Sequence, residues 1–76
     1  MNSIKKVLTN KVVKMEEGPL MLIRDGFGCH PDLSGTALFG YAEGYGEIRV
    51  DGMEVERLAT EEETEAFFGR TGLERP

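Results

Sequence analysis

Residues 47–57 read EIRVDGMEVER. Two runs of alternating apolar and charged side chains flank Asp51-Gly52, and that dipeptide between alternating runs is the strongest local signal for a two-residue β-hairpin. A type I′ turn needs positive φ at both central residues, which Asp and Gly tolerate. On this reading GEIRV (46–50) and MEVERLA (53–59) are paired strands. Met53 and Val55 face the core, and Glu54 and Glu56 face water.

Moving toward the N-terminus, further turn signals divide the chain into more strands. Glu43-Gly44-Tyr45-Gly46 separates GEIRV from GTALFGYAE (35–43), a strand of small and aromatic residues. PLMLIR (19–24) is apolar on both parities, which predicts a central strand covered on both faces. IKKVLTNKVVKM (4–15) is rich in β-branched residues but changes face. Val7, Thr9 and Val13 share one parity and Leu8 and Val12 the other, so a long strand with a bend or bulge near Thr9-Asn10 is expected. Glu16-Glu17-Gly18-Pro19 and Asp25-Gly26 supply the breaks between them.

After residue 58 the pattern changes. LATEEETEAFFG (58–69) carries Thr60 as N-cap with Glu63 three residues on, a capping box, and acidic residues crowd the first turn where the helix dipole favours them. Ala66, Phe67 and Phe68 give the apolar contact, and Gly69 suits the helix end. A helix over about 60–68 and a frayed tail over 70–76 follow. Five short strands and a helix predict a mainly β fold. The form is a small five-stranded barrel or a strongly curved antiparallel sheet, of SH3-like size, with one short C-terminal helix that caps an open end through its aromatic pair. All 76 residues are read as one domain, a size at which the core is small and oligomerisation is a common remedy.

The chemistry-bearing residues concentrate in DGFGCHPDLSG (25–35), which holds the only cysteine, Cys29, and the only histidine, His30. Structural zinc uses four ligands at paired spacing. Here adjacent Cys29 and His30 stand with Asp25 and Asp32 and no second pair, and neither a metal nor any other cofactor is expected. A thiol nucleophile needs a base within reach, but neighbouring side chains point apart, so Cys29 reads as a small apolar residue and His30 as a solvent-facing one. GFGCHP lacks the third glycine of a dinucleotide loop, and GTALFG is not followed by Lys-Ser or Lys-Thr. The loop reads as structural or as a recognition loop, and no enzyme is expected.

Charge is unevenly distributed within a net of −5. Residues 1–24 carry five basic side chains against two acidic, and residues 25–76 carry four against twelve. An acidic chain is repelled by phosphate, which argues against nucleic acid, though the basic first strand keeps a nucleic-acid-binding barrel as an alternative. A metal- or thiol-dependent protein centred on Cys29 and His30 is the other. No apolar run approaches membrane-spanning length, no secretory leader is read after Lys5-Lys6, and one cysteine cannot form an internal disulfide, so a cytoplasmic setting is expected. The leading expectation is a non-catalytic module that binds a protein partner or itself, a homodimer included, through exposed strand edges. The candidate contacts are Lys5, Lys11, Lys14, Phe27, His30, Tyr41 and Tyr45.

Overall fold

The stretch EIRVDGMEVER does not form a hairpin. Asp51 and Gly52 open a single 3₁₀ turn over Gly52–Glu54, closed by reciprocal bonds: the Asp51 carboxylate accepts from the Met53 N–H at 3.0 Å, and the Asp51 N–H donates to the Glu54 carboxylate at 3.0 Å. Gly52 is not among the glycines with positive φ, whereas a type I′ turn requires it. The turn redirects the chain across the fold. The structure, a computed structural model, describes residues 8–27 and 36–76, with Phe27 described in its backbone only. Its strands are β1 (Val12–Met15), β2 (Leu20–Phe27), β3 (Ala37–Ala42), β4 (Gly46–Asp51) and β5 (Val55–Leu58), followed by helix α1 (Glu61–Thr71).

All pairings are antiparallel, and the sheet order is β4-β3-β2-β1-β5. β5 therefore pairs with β1, not with β4, and the two lie at opposite edges. The Glu16 N–H donates to the Glu54 carbonyl at 2.8 Å and the Ala59 N–H to the Val12 carbonyl at 2.9 Å, fastening both ends of the crossover. The fold is mainly β, as the strand pattern predicts, and the sheet stays open between β4 and β5. Met53, expected to face inward, is 62% exposed on the 3₁₀ turn.

The first strand is shorter than expected. Leu8 to Asn10 turn sharply, with Asn10 at φ 66, a left-handed conformation that Asn tolerates. The Asn10 N–H donates to the Ile23 carbonyl at 2.8 Å and the Ile23 N–H to the Lys11 carbonyl at 2.9 Å, so two residues oppose one. The change of face in the sequence is a turn running into a bulge at the head of β1, near Thr9-Asn10 as expected; residues 4–7 lie outside the described residues. Leu8 is buried and joins the main core.

β2 lies at the centre and buries both faces, as its sequence predicts. Met21 and Ile23 enter the main core with Val13, Met15, Leu38 and Ala42. Leu20 and Leu22 face the other way, beside Val12 and Phe67. The register shifts between Ile23 and Asp25, leaving Arg24 unmatched, and such a bulge bends a strand.

Helix α1 covers this second face rather than an open end. Its N-terminus is the predicted one: Thr60 accepts from the Glu63 N–H, and Glu63 returns the bond. Phe67 is fully buried against Val12, Leu20 and Leu22, with Phe68 edge-on to it at 5.2 Å. The apolar outer parity of β2 would otherwise face water. Burial of one large apolar side chain is worth about 1.5–3 kcal/mol, so Phe67 is a principal anchor. The helix continues through Gly69 to Thr71 and ends at Gly72, whose φ of 73 supplies the left-handed cap. The tail is held too: Leu73 packs against the second cluster, and Arg75 returns to Glu61 at 2.8 Å and lies 5.9 Å over the Phe68 ring.

Candidate functional site

Because β4 and β5 do not meet, the core is incomplete on that side. Ile48 and Val50 point inward from β4 but remain half-buried. Together with Met15 and Ala42 they form the floor of an open cleft of about 360 Å³. Its rim carries Glu16, Glu17, Glu54 and Tyr45.

Each rim group is held by local chemistry. The Lys14 ammonium donates to the Met15 carbonyl at 2.5 Å and the Gly18 carbonyl at 3.0 Å, bracing the β1–β2 turn that presents Glu16 and Glu17. Glu54 is fixed by its bond to the Asp51 N–H. Tyr45 sits between Gly44 at φ 87 and Gly46 at φ 86, in a turn closed by its N–H to the Ala42 carbonyl at 3.0 Å. It is 71% exposed. Three carboxylates thus surround an apolar floor, and the ammonium at this turn is already engaged by carbonyl oxygens. Such a surface accepts an apolar side chain flanked by positive charge.

The candidate contact residues separate. Tyr45 lines the cleft and Lys14 supports it. Tyr41 is half-buried on the opposite face, packed beside the cluster that holds Phe67. Lys11 is exposed at the entry to β1, in a second groove of about 420 Å³ shared with Glu61 and Arg75. Phe27 ends β2 opposite Ala37. Lys5, Cys29, His30 and Asp32 lie outside the described residues. Among the described residues no three His, Cys, Asp or Glu side chains are grouped to hold a metal ion, and no helix is long and apolar enough to cross a membrane. Glu16, Glu17, Glu54, Ile48 and Val50 are site residues that sequence reading passed over, the first two read only as part of a turn. Their signal is the crossover itself, which the hairpin reading concealed.

A second set of charges pins the helix to the sheet. Arg70 clasps Glu43 with two bonds, 2.5 and 2.9 Å, from the last turn of α1 to the β3–β4 turn. Arg57 of β5 clasps Glu63 at 2.7 and 3.1 Å. Hydrogen bonds from Arg57, and then from the Thr60 N–H, lower the Glu63 carboxyl to about 2. Arg70 lowers Glu43, and Arg75 lowers Glu61, by the same kind of bond.

No protein-family model, no curated protein and no solved structure matches this chain.

Proposed function

We propose that the protein is a small non-catalytic module that binds a protein partner through the cleft between the β1–β2 turn and β4. The observation that carries this reading is an apolar floor continuous with the core, lying open beneath three carboxylates and an exposed tyrosine. An apolar anchor entering a pocket, ringed by polar contacts, is how protein interfaces concentrate their energy. The partner segment is an apolar side chain between lysines or arginines. The acidic rim disfavours phosphate, so nucleic acid is the poorer fit. The lone cysteine suits a reducing compartment, and the cytoplasm is the proposed place of action.

The test uses two peptides of equal length, one alternating leucine with lysine and one alternating leucine with glutamate. Amide shifts of the labelled protein are followed during titration. The lysine peptide is expected to move Gly18, Tyr45 and Ile48, and the E16K/E17K variant to lose that response. Equal binding of the glutamate peptide, or no change at these residues, overturns the reading.

A further inference from the structure

We infer that β4 pairs edge to edge with β4 of a second copy of this chain, with Ile48 on the two-fold axis and Glu47 opposite Arg49 across it.

β4 is the terminal strand of the sheet, so one of its edges has no strand partner among the described residues. Which backbone groups face that edge follows from the ladder. The Gly52 N–H donates to the Thr36 carbonyl at 2.7 Å, and the β3–β4 register runs without a shift from Ala37↔Asp51 to Ala42↔Gly46. Hydrogen-bonded pairs alternate in an antiparallel ladder. Val50, Ile48 and Gly46 therefore bond to β3, and Glu47, Arg49 and Asp51 turn their N–H and C=O groups outward. Asp51 confirms the parity, since its N–H is taken by the Glu54 carboxylate instead of a strand. Among the described residues nothing pairs with the outward backbone of Glu47 and Arg49, two residues that a second strand can pair.

The side chains of the same two residues decide the partner and the register. Both are exposed on the outer face. Among the described residues Arg49 makes no ion pair, and Glu47 pairs with exposed Arg24 alone, at 3.1 Å. Antiparallel pairing about Ile48 sets each Glu47 against Arg49 of the other copy, twice by symmetry. Centring on Glu47 would set like carboxylates together, and centring on Arg49 would set like guanidinium groups together; like charges directly opposite are destabilising. Centring on Val50 would set Arg49 against Asp51, but the Asp51 N–H is already taken by the Glu54 carboxylate. One register therefore pairs opposite charges with the outward backbone groups unspent, as a two-fold interface requires. That register also brings Tyr45 opposite Asp51 of the second copy, next to the 3₁₀ turn carrying its exposed Met53. The other free edge is a poorer template: β5 has four residues, and its pairing with β1 is interrupted by a register shift.

A single strand pair buries less than a standard interface, so the dimer is weak and concentration-dependent. It shares Tyr45 and Ile48 with the cleft, but E16K/E17K touches neither Glu47 nor Arg49, so dimer formation is read by sedimentation and peptide capture by the Gly18 amide and its loss in that variant.

Sedimentation equilibrium tests the pairing, with each variant first checked for a native amide spectrum. The wild-type chain is expected to dimerise reversibly below about 1 mM. E47K and R49E each place two like-charge pairs across the axis and weaken association by about tenfold or more. Mixed in equal amounts, the two variants restore it, because the lysine and Arg49 of one chain then meet Glu47 and the glutamate of the other. R49E disturbs no described intrachain ion pair, so it remains informative if E47K folds poorly. A wild-type chain that stays monomeric through that range, single variants that associate like wild type, or a mixture no stronger than its components would each overturn the inference.

Discussion

Gly40 in β3 passes so close to Leu22 in β2 that a β-carbon built on it would stand 1.9 Å from the Leu22 carbonyl oxygen. No real β-carbon approaches backbone that closely, so any side chain here must push two central strands apart. The contact lies one residue pair from the bulge at Arg24, where β2 bends. The two features together let five short strands curve into one core. Gly40→Ala is expected to destabilise the fold by about 3 kcal/mol or more, since backbone must move in a packed sheet. Urea denaturation measures it, and a loss under about 1 kcal/mol would show that the strands separate easily.

Thr36 makes the opposite prediction. Its side chain is 1% exposed, and its hydroxyl has no hydrogen-bond partner among the described residues. A buried hydroxyl without a partner loses its hydration and gains nothing in return. Thr36→Val keeps the shape and removes the polar atom, and it is expected to raise stability by about 1 kcal/mol. Thermal unfolding checks the sign: a lower Tm would mean that the hydroxyl is satisfied in solution.

Phe67→Ala is expected to cost about 3–5 kcal/mol, the range for removing a large buried aromatic. The loss should centre on the helix and the second face of β2, because the main core shares no residue with this cluster. Hydrogen exchange resolves the difference. Protection lost over α1 while β3 amides remain slow fits this layering, and uniform loss would show that both faces unfold as one unit.

These features were unequally legible in the sequence. β2 was readable because four consecutive apolar residues on both parities fit only a strand covered twice. Thr60 and Glu63 marked the helix start because a capping box is a local, three-residue device. The helix end was misplaced: Gly69 was read as the cap, whereas the helix runs on to Gly72, an extension that goes with Leu73 packing against a distant face. The partner of β5 was not legible at all. Asp51-Gly52 between alternating runs fits a hairpin and a capped 3₁₀ turn equally well at the local level, and pairing with β1 is decided some forty residues away in the chain. The cleft inherits that difficulty. Its walls come from the β1–β2 turn, the β3–β4 turn and the crossover, and Glu16-Glu17-Gly18-Pro19 alone announces only a break.

Acidification should loosen the attachment of α1. Arg57 and the Thr60 N–H hold the Glu63 carboxyl near 2, below its ordinary value of 4.5. A carboxyl with a depressed folded-state pKa stabilises the fold above its unfolded pKa and loses that contribution as pH falls through the folded value. The window for Glu63 therefore runs from about pH 4.5 down to about 2. Carboxyl-carbon NMR is expected to show Glu63 titrating near the bottom of that window, and Arg57→Met to raise its midpoint. An unchanged midpoint in the variant would remove Arg57 as the cause.

The crossover itself is tested by Met53 and Asp51. In a hairpin, Met53 would face the core and its loss would resemble a buried methionine truncation, about 2–5 kcal/mol. On the 3₁₀ turn it is 62% exposed, so Met53→Ser should change stability by no more than about 0.5 kcal/mol. Asp51 behaves in the reverse way. Its carboxylate accepts the Met53 N–H and its own N–H is capped by Glu54, so Asp51→Ala removes a cap and should cost about 1 kcal/mol. A two-residue hairpin would tolerate that change less predictably, through turn strain, and would punish the methionine far more. Chemical denaturation of the two variants side by side decides it: a small Met53 effect beside a larger Asp51 effect supports the crossover, and a large Met53 effect returns β5 to the edge of β4 and closes the edge on which self-pairing depends.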